Sequence, residues 1–249
     1  MDQWLDEIRE PARLILAWQA PPDVADRTRW AVGELVKRGE STEFRYFDDA
    51  EFDSFNVGRT LASLRDAGYR GYPAFEMTSA QTFPVGALDA FMRRLPSPRR
   101  EDFDVYLQRF RIRPNRAVSP LSLLAVTGAS LATDGFSLID PLDRGAKRQD
   151  VILEVVGTRY YSTANAALAA GVCVDLVPDP SNDHDRHAVK VVGPAGCIGY
   201  VNRLQSESVA GWLASRSVEA NILRLNGSKQ SPRVFLFVAV RPTDWSVAA

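Results

Sequence analysis

After Asp150 the chain breaks into six short runs rich in β-branched residues: Val151–Val156, Val172–Val177, Ala188–Val192, Cys197–Val201, Val218–Leu225 and Val234–Val240. Side chains branched at Cβ are stiff about χ1 and pack well on a pleated surface, so such runs read as strands. One helical stretch, Leu204–Ser215, interrupts them. Six strands and a single helix in so short a span suggest a small barrel rather than a parallel sheet, which needs a crossover for every strand.

The residues before Asp150 have a different texture. Arg13–Trp18, Arg29–Val36 and Glu43–Phe47 read as strands. Asp49–Ala67 carries apolar residues at helix spacing, and Gly68 stops it. Val85–Leu95, Arg100–Phe110 and Pro120–Val126 are further helices, and Phe136–Ile139 a last strand. Asp140–Asp150 is polar, with turn formers and no apolar period. The expected organisation is an α+β domain over 1–140, a linker over 141–149, and a small OB-like β-barrel of about six strands and one or two helices over 150–241.

At 45% hydrophobic and 24% charged residues the chain has apolar material enough for a core without staples. The only cysteines, Cys173 and Cys197, lie in strand-like runs and are expected as buried free thiols. The start lacks the order of a secretory signal, and no apolar run approaches the roughly 20 residues that span a bilayer, so the expected setting is cytoplasmic with no membrane partner. The net charge of −1 gives no global attraction to nucleic acid, but eight arginines stand against three acids between Arg93 and Arg116. Screening confines distant charges to about 8–10 Å, so this run acts locally, either on phosphates or as a solvated surface.

Three motifs then follow in order: Val155-Val156-Gly157-Thr158-Arg159-Tyr160-Tyr161, the stretch Leu176–Val191 containing Asp179-Pro180-Ser181-Asn182-Asp183-His184-Asp185-Arg186-His187, and Gly196-Cys197-Ile198-Gly199-Tyr200-Val201. Together they resemble the HIRAN domain, found in a helicase-like DNA-repair factor and in stand-alone bacterial and phage proteins. The resemblance implies an OB-like barrel that captures the 3′ end of single-stranded DNA. It places Arg159, Tyr160, Tyr161 and Asp185 at the terminal nucleotides, with His184 beside the aspartate; the downstream Arg203 reads either as a phosphate contact or as a solvated arginine at a helix start. The chemistry agrees: aromatic rings stack on bases, arginine grips phosphate, and a carboxylate accepts from a 3′-hydroxyl but repels a 3′-phosphate.

Other readings of the same residues stand beside it. If Tyr160 and Tyr161 lie in a strand they point to opposite faces, and one belongs to packing. Asn182 and Asp185 are also residues that bond their own loop backbone. His187 stands where the family usually has asparagine, and Asp183, His184, Asp185 and His187 form a cluster that suggests a metal-dependent nuclease, although a loop does not preset such ligands to converge. No Gly-rich phosphate loop, Ser-His-Asp order or kinase signature is present. The expectation is therefore a non-enzymatic protein with no cofactor and no metal. A protein partner docking on the N-terminal domain makes an adaptor the alternative. Val32-Gly33-Glu34-Leu35, Phe44-Arg45-Tyr46, Pro84–Leu95 and Pro120–Ile139 resemble the small N-terminal subdomain of HipA-type toxin kinases, without the kinase body.

Overall fold

The computed structural model describes residues 3–21, 24, 29–77, 82–131, 133–161, 164, 168–228 and 231–243. The chain forms two compact units: Glu10–Tyr106 with Asn115–Pro141, and Met1–Arg9 with Leu107–Pro114 and Leu142–Ala249. No helix among the described residues is long and apolar enough to cross a membrane.

The first unit is built on a five-stranded sheet of β1 (Arg13–Trp18), β2 (Trp30–Arg38), β3 (Ser41–Tyr46), β4 (Thr82–Phe83) and β5 (Phe136–Ile139), in the order β4-β3-β2-β1-β5. Every pairing is antiparallel. Phe44 is fully buried and centres an aromatic cluster, stacked on Phe75 at 4.8 Å and edge-on to Tyr46 at 4.9 Å. The helix expected over Asp49–Ala67 is two helices, α1 (Asp49–Phe55) and α2 (Leu61–Asp66). Asn56 breaks it. Its buried amide accepts from the Ala31 N–H at 2.9 Å and donates to the carbonyls of Ala31 and Phe52. That bonding draws the chain out of the helix, and Thr60 caps a new start. The shorter helices α3 (Ala87–Met92), α4 (Phe103–Arg109) and α5 (Pro120–Thr127) lie inside their expected ranges or within a residue of them.

The second unit holds β6 (Gln149–Val155), β7 (Cys173–Pro178), β8 (Val189–Gly193), β9 (Gly196–Tyr200), α6 (Arg203–Leu213), β10 (Arg216–Ser228) and β11 (Ser231–Pro242). The sheet order is β6-β11-β10-β7-β8-β9, which leaves β6 and β9 as its two edges. A β-bridge between Val156 and Tyr200 joins those edges, with N–H to carbonyl bonds of 2.8 and 2.9 Å in both directions. The sheet thus curls back on itself, as the expected OB-like barrel requires. Gly199 makes the closure possible. At φ +148° a Cβ there would stand 2.5 Å from the Val156 carbonyl oxygen.

Val191, Ile198, Leu236 and Val238 fill the interior, and α6 adds Val209 and Trp212. The Trp212 indole donates to the Asp143 carbonyl at 2.8 Å, so this buried polar group is satisfied. Met1–Arg9 and Leu107–Pro114 stand early in the sequence yet belong to this unit. The buried carboxylate of Asp150 accepts from the backbone N–H groups of Asp6 and Glu7 at 2.9 Å and from Arg241 at 2.7 Å. The Leu5 N–H donates to the Arg111 carbonyl. Both cysteines are free, but Cys173 is exposed rather than buried. It opens β7, where Val174 takes the inward position and Cys173 faces out.

Candidate nucleic-acid interface

The Arg-Tyr-Tyr segment is not a strand. β6 ends at Val155, Gly157 turns the chain at φ +76°, and Thr158–Tyr160 is a single 3-10 turn. Only glycine reaches that conformation without cost. The Thr158 hydroxyl anchors the turn on the Pro232 carbonyl at 2.7 Å. The two tyrosines are therefore set apart by a turn, not by strand alternation.

Tyr160 stands out from the surface at 70% exposure. The Arg159 guanidinium lies over one face of its ring, 4.7 Å from the centroid, and donates to its hydroxyl at 2.5 Å. The pair is a cation bound to an aromatic plate whose remaining surface is open. Tyr161 is half-buried, with its ring centroid 6.3 Å from that of Tyr200. Burial first, then the Tyr200 hydroxyl and the Cys197 thiol, push the Tyr161 phenol above its usual range, so it remains protonated.

Tyr200 connects this turn to the second motif. Its hydroxyl donates to Oδ2 of Asp179 at 3.1 Å, and Lys190 and Ser181 also bind that carboxylate, at 3.1 and 3.0 Å. Burial pushes the Asp179 carboxyl up, but the bonds from Lys190, Ser181 and Tyr200 outweigh it and hold the group below the usual carboxylate range. The backbone of Asp179 and Ala188 closes the loop between them at 2.7 Å.

Inside that loop Asn182 Oδ1 accepts from the N–H groups of His184 and Asp185. Asp185 Oδ1 accepts from the His187 N–H at 2.8 Å, and Oδ2 accepts from the buried Ser206 hydroxyl at 2.6 Å. Ser206 lies in the first turn of α6, which Asn202 caps through the Leu204 N–H and which Arg203 opens with an exposed side chain. The structure thus brings Asp185 to the helix start that carries Arg203. His184 is exposed on the loop. The Arg186 Nε donates to the His187 ring at 3.0 Å. Among the described residues no three His, Cys, Asp or Glu side chains gather into a metal-binding group.

Sequence reasoning passed over Asp179, Tyr200, Lys190 and Ser206 as site residues. Tyr200 and Lys190 sit opposite one another in the β8–β9 register, a pairing that short-range periodicity does not reveal. The arginine run also divides. Arg94 makes a bidentate pair with Asp134 at 2.7 and 2.9 Å and donates to the Ala129 carbonyl, so it is a structural cation. Arg100 pairs with Asp102, and Arg113 with Asp6.

No curated protein matches the chain. Among solved structures, the HIRAN domain of human HLTF shares 20% identity, with 38% of this chain and 77% of that one covered and a TM-score of 0.33. A protein from Lactobacillus plantarum shares 23% identity, covering 38% and 93%, with a TM-score of 0.34. The family match lies wholly after residue 148, and no comparison supports a HipA-type resemblance of the earlier segments. Residues 149–240 match the HIRAN domain family, and the second unit of this chain carries a HIRAN domain, a module known in nucleic-acid-binding contexts.

Proposed function

We propose that this protein binds single-stranded DNA without catalysing a reaction, and that its barrel captures strands at a 3′-hydroxyl end. The observation that carries the reading is Tyr160, a large aromatic side chain left 70% exposed beside a cation on a rigid turn. A soluble fold gains nothing from such exposure, whereas a base stacked on the ring gains about 1–3 kcal/mol whatever its identity. Arg159 and Arg203 supply phosphate contacts on either side, and His184 borders the loop.

Asp185 fits the strand end. An ionised carboxylate offers about four lone-pair sites. The His187 N–H and the Ser206 hydroxyl use one on each oxygen, which fixes the carboxylate and leaves acceptor capacity for a 3′-hydroxyl. A 3′-phosphate would meet like charge there. The test is binding of labelled oligonucleotides that differ only at the 3′ end, with Mg²⁺, Mn²⁺ or Zn²⁺ added in parallel. End-selective binding with intact DNA is expected. Metal-dependent cleavage lost in a His184→Ala, His187→Ala double variant would make the protein a nuclease instead.

A further inference from the structure

The outer surface of the barrel carries a second grouping of cations and rings. Arg224, Phe235 and Glu154 form one cross-strand row over β10, β11 and β6. The Arg224 guanidinium lies 4.4 Å from the centroid of Phe235 and 5.5 Å from that of Phe110, and Nη1 donates to the Arg109 carbonyl at 2.6 Å. Two rings and a carbonyl therefore hold it in place, so little side-chain entropy is left to lose on binding.

Among the described residues it makes no ion pair. The nearby carboxylate, Glu154, is engaged by Arg233 at 2.8 Å. Nε of Arg224 is buried, and among the described residues it has no hydrogen-bond partner. Burial first, then the like charges of Arg233 and Arg111, pull the guanidinium below its usual pKa, with Glu154 opposing. A preformed guanidinium with an excess of cations around it is the arrangement that a phosphate oxygen completes.

We propose that Arg224 and Arg111, on the outer face of β10–β11 and the Leu107–Pro114 segment, hold a backbone phosphate of the bound strand beyond the nucleotides at Tyr160. This rests on the DNA-binding reading above and extends its footprint onto the outer surface of the sheet. It also gives part of the arginine run a role that composition alone left open.

The experiment is fluorescence anisotropy of a 5′-labelled oligothymidylate with the full chain, from low to moderate salt, for the parent, Arg224→Gln, Arg111→Gln and Tyr160→Ala, each with a thermal melt. Each phosphate contact on a single strand contributes about 0.7 to the slope of log affinity against log salt. Each arginine variant is expected to lower the slope by about that amount, while Tyr160→Ala weakens binding at every salt with the slope kept. Arg111→Gln decides the matter if Arg224→Gln, which loses two ring contacts, does not fold. Parental slopes in the folded arginine variants, with the Tyr160 effect intact, overturn the phosphate site and leave the proposed function standing. Absence of binding by the parent at any salt overturns both.

Discussion

The Tyr200 hydroxyl donates to Oδ2 of Asp179 across 3.1 Å, and this bond ties the strand that closes the barrel to the loop that carries His184 and Asp185. Tyr200 is also the residue whose backbone pairs with Val156, one residue before the turn that presents Arg159 and Tyr160. Closure of the barrel and assembly of the site are therefore one structural event.

Tyr160→Ala is expected to weaken single-stranded DNA binding by about 1–3 kcal/mol, the range for one stacked base. Stability should move by no more than about 0.5 kcal/mol, as for other surface positions. Anisotropy beside a denaturant titration measures both. A large stability loss at unchanged affinity would make the ring a packing residue.

Asp185 should confer a preference for a 3′-hydroxyl over a 3′-phosphate of about tenfold or more, since a hydrogen bond to a charged acceptor contributes about 1.5–3 kcal/mol. Asp185→Asn should shrink that preference. Competition between two oligonucleotides identical except at the 3′ end reads it. Equal affinities in the parent protein would remove end capture while leaving strand binding in place.

Acidification should act through Asp179. Its folded pKa is depressed, so its contribution to stability is complete above the unfolded carboxylate pKa and is lost as pH falls through the folded value. The parent's melting temperature should therefore drop through and below the usual carboxylate range. Asp179→Asn should melt lower than the parent at neutral pH, with a flatter profile, and the two curves should converge in acid. Parallel curves would show that Asp179 is not the titrating group.

Gly199→Ala should destabilise the barrel by more than about 1–3 kcal/mol, the strain of a residue forced into a sparsely populated backbone region. The added Cβ also meets the Val156 carbonyl at the bridge. Urea unfolding measures the loss. Parental stability would mean that the Val156–Tyr200 bridge adds little to the fold.

Apart from the two-residue β4, the strands of both units were legible in the sequence because each buries at least one face, and β-branched or aromatic residues recur where it does. Arg13–Trp18 and Phe136–Ile139 fall on their expected bounds, and all six barrel strands fall within a few residues of theirs or extend beyond them. The Arg-Tyr-Tyr, Asp179–His187 and Gly196–Val201 motifs pointed to the same barrel through a family resemblance, which the match over residues 149–240 supports.

Tertiary structure decided the rest. Asn56 reads as one more polar residue in a helical period until Ala31 is brought beside it, and then its amide bonds outcompete the helix. Asp150 reads as the end of a polar, turn-forming stretch, yet it is buried and gathers the N–H groups of Asp6 and Glu7. Thr158–Tyr160 is a turn rather than more strand because Val156 leaves β6 to pair with Tyr200. Periodicity along a chain reports which side of an element meets water. It carries no information on which distant residue supplies a hydrogen bond, and the Tyr200–Asp179 and Ser206–Asp185 bonds that shape the site both span 21 positions of sequence.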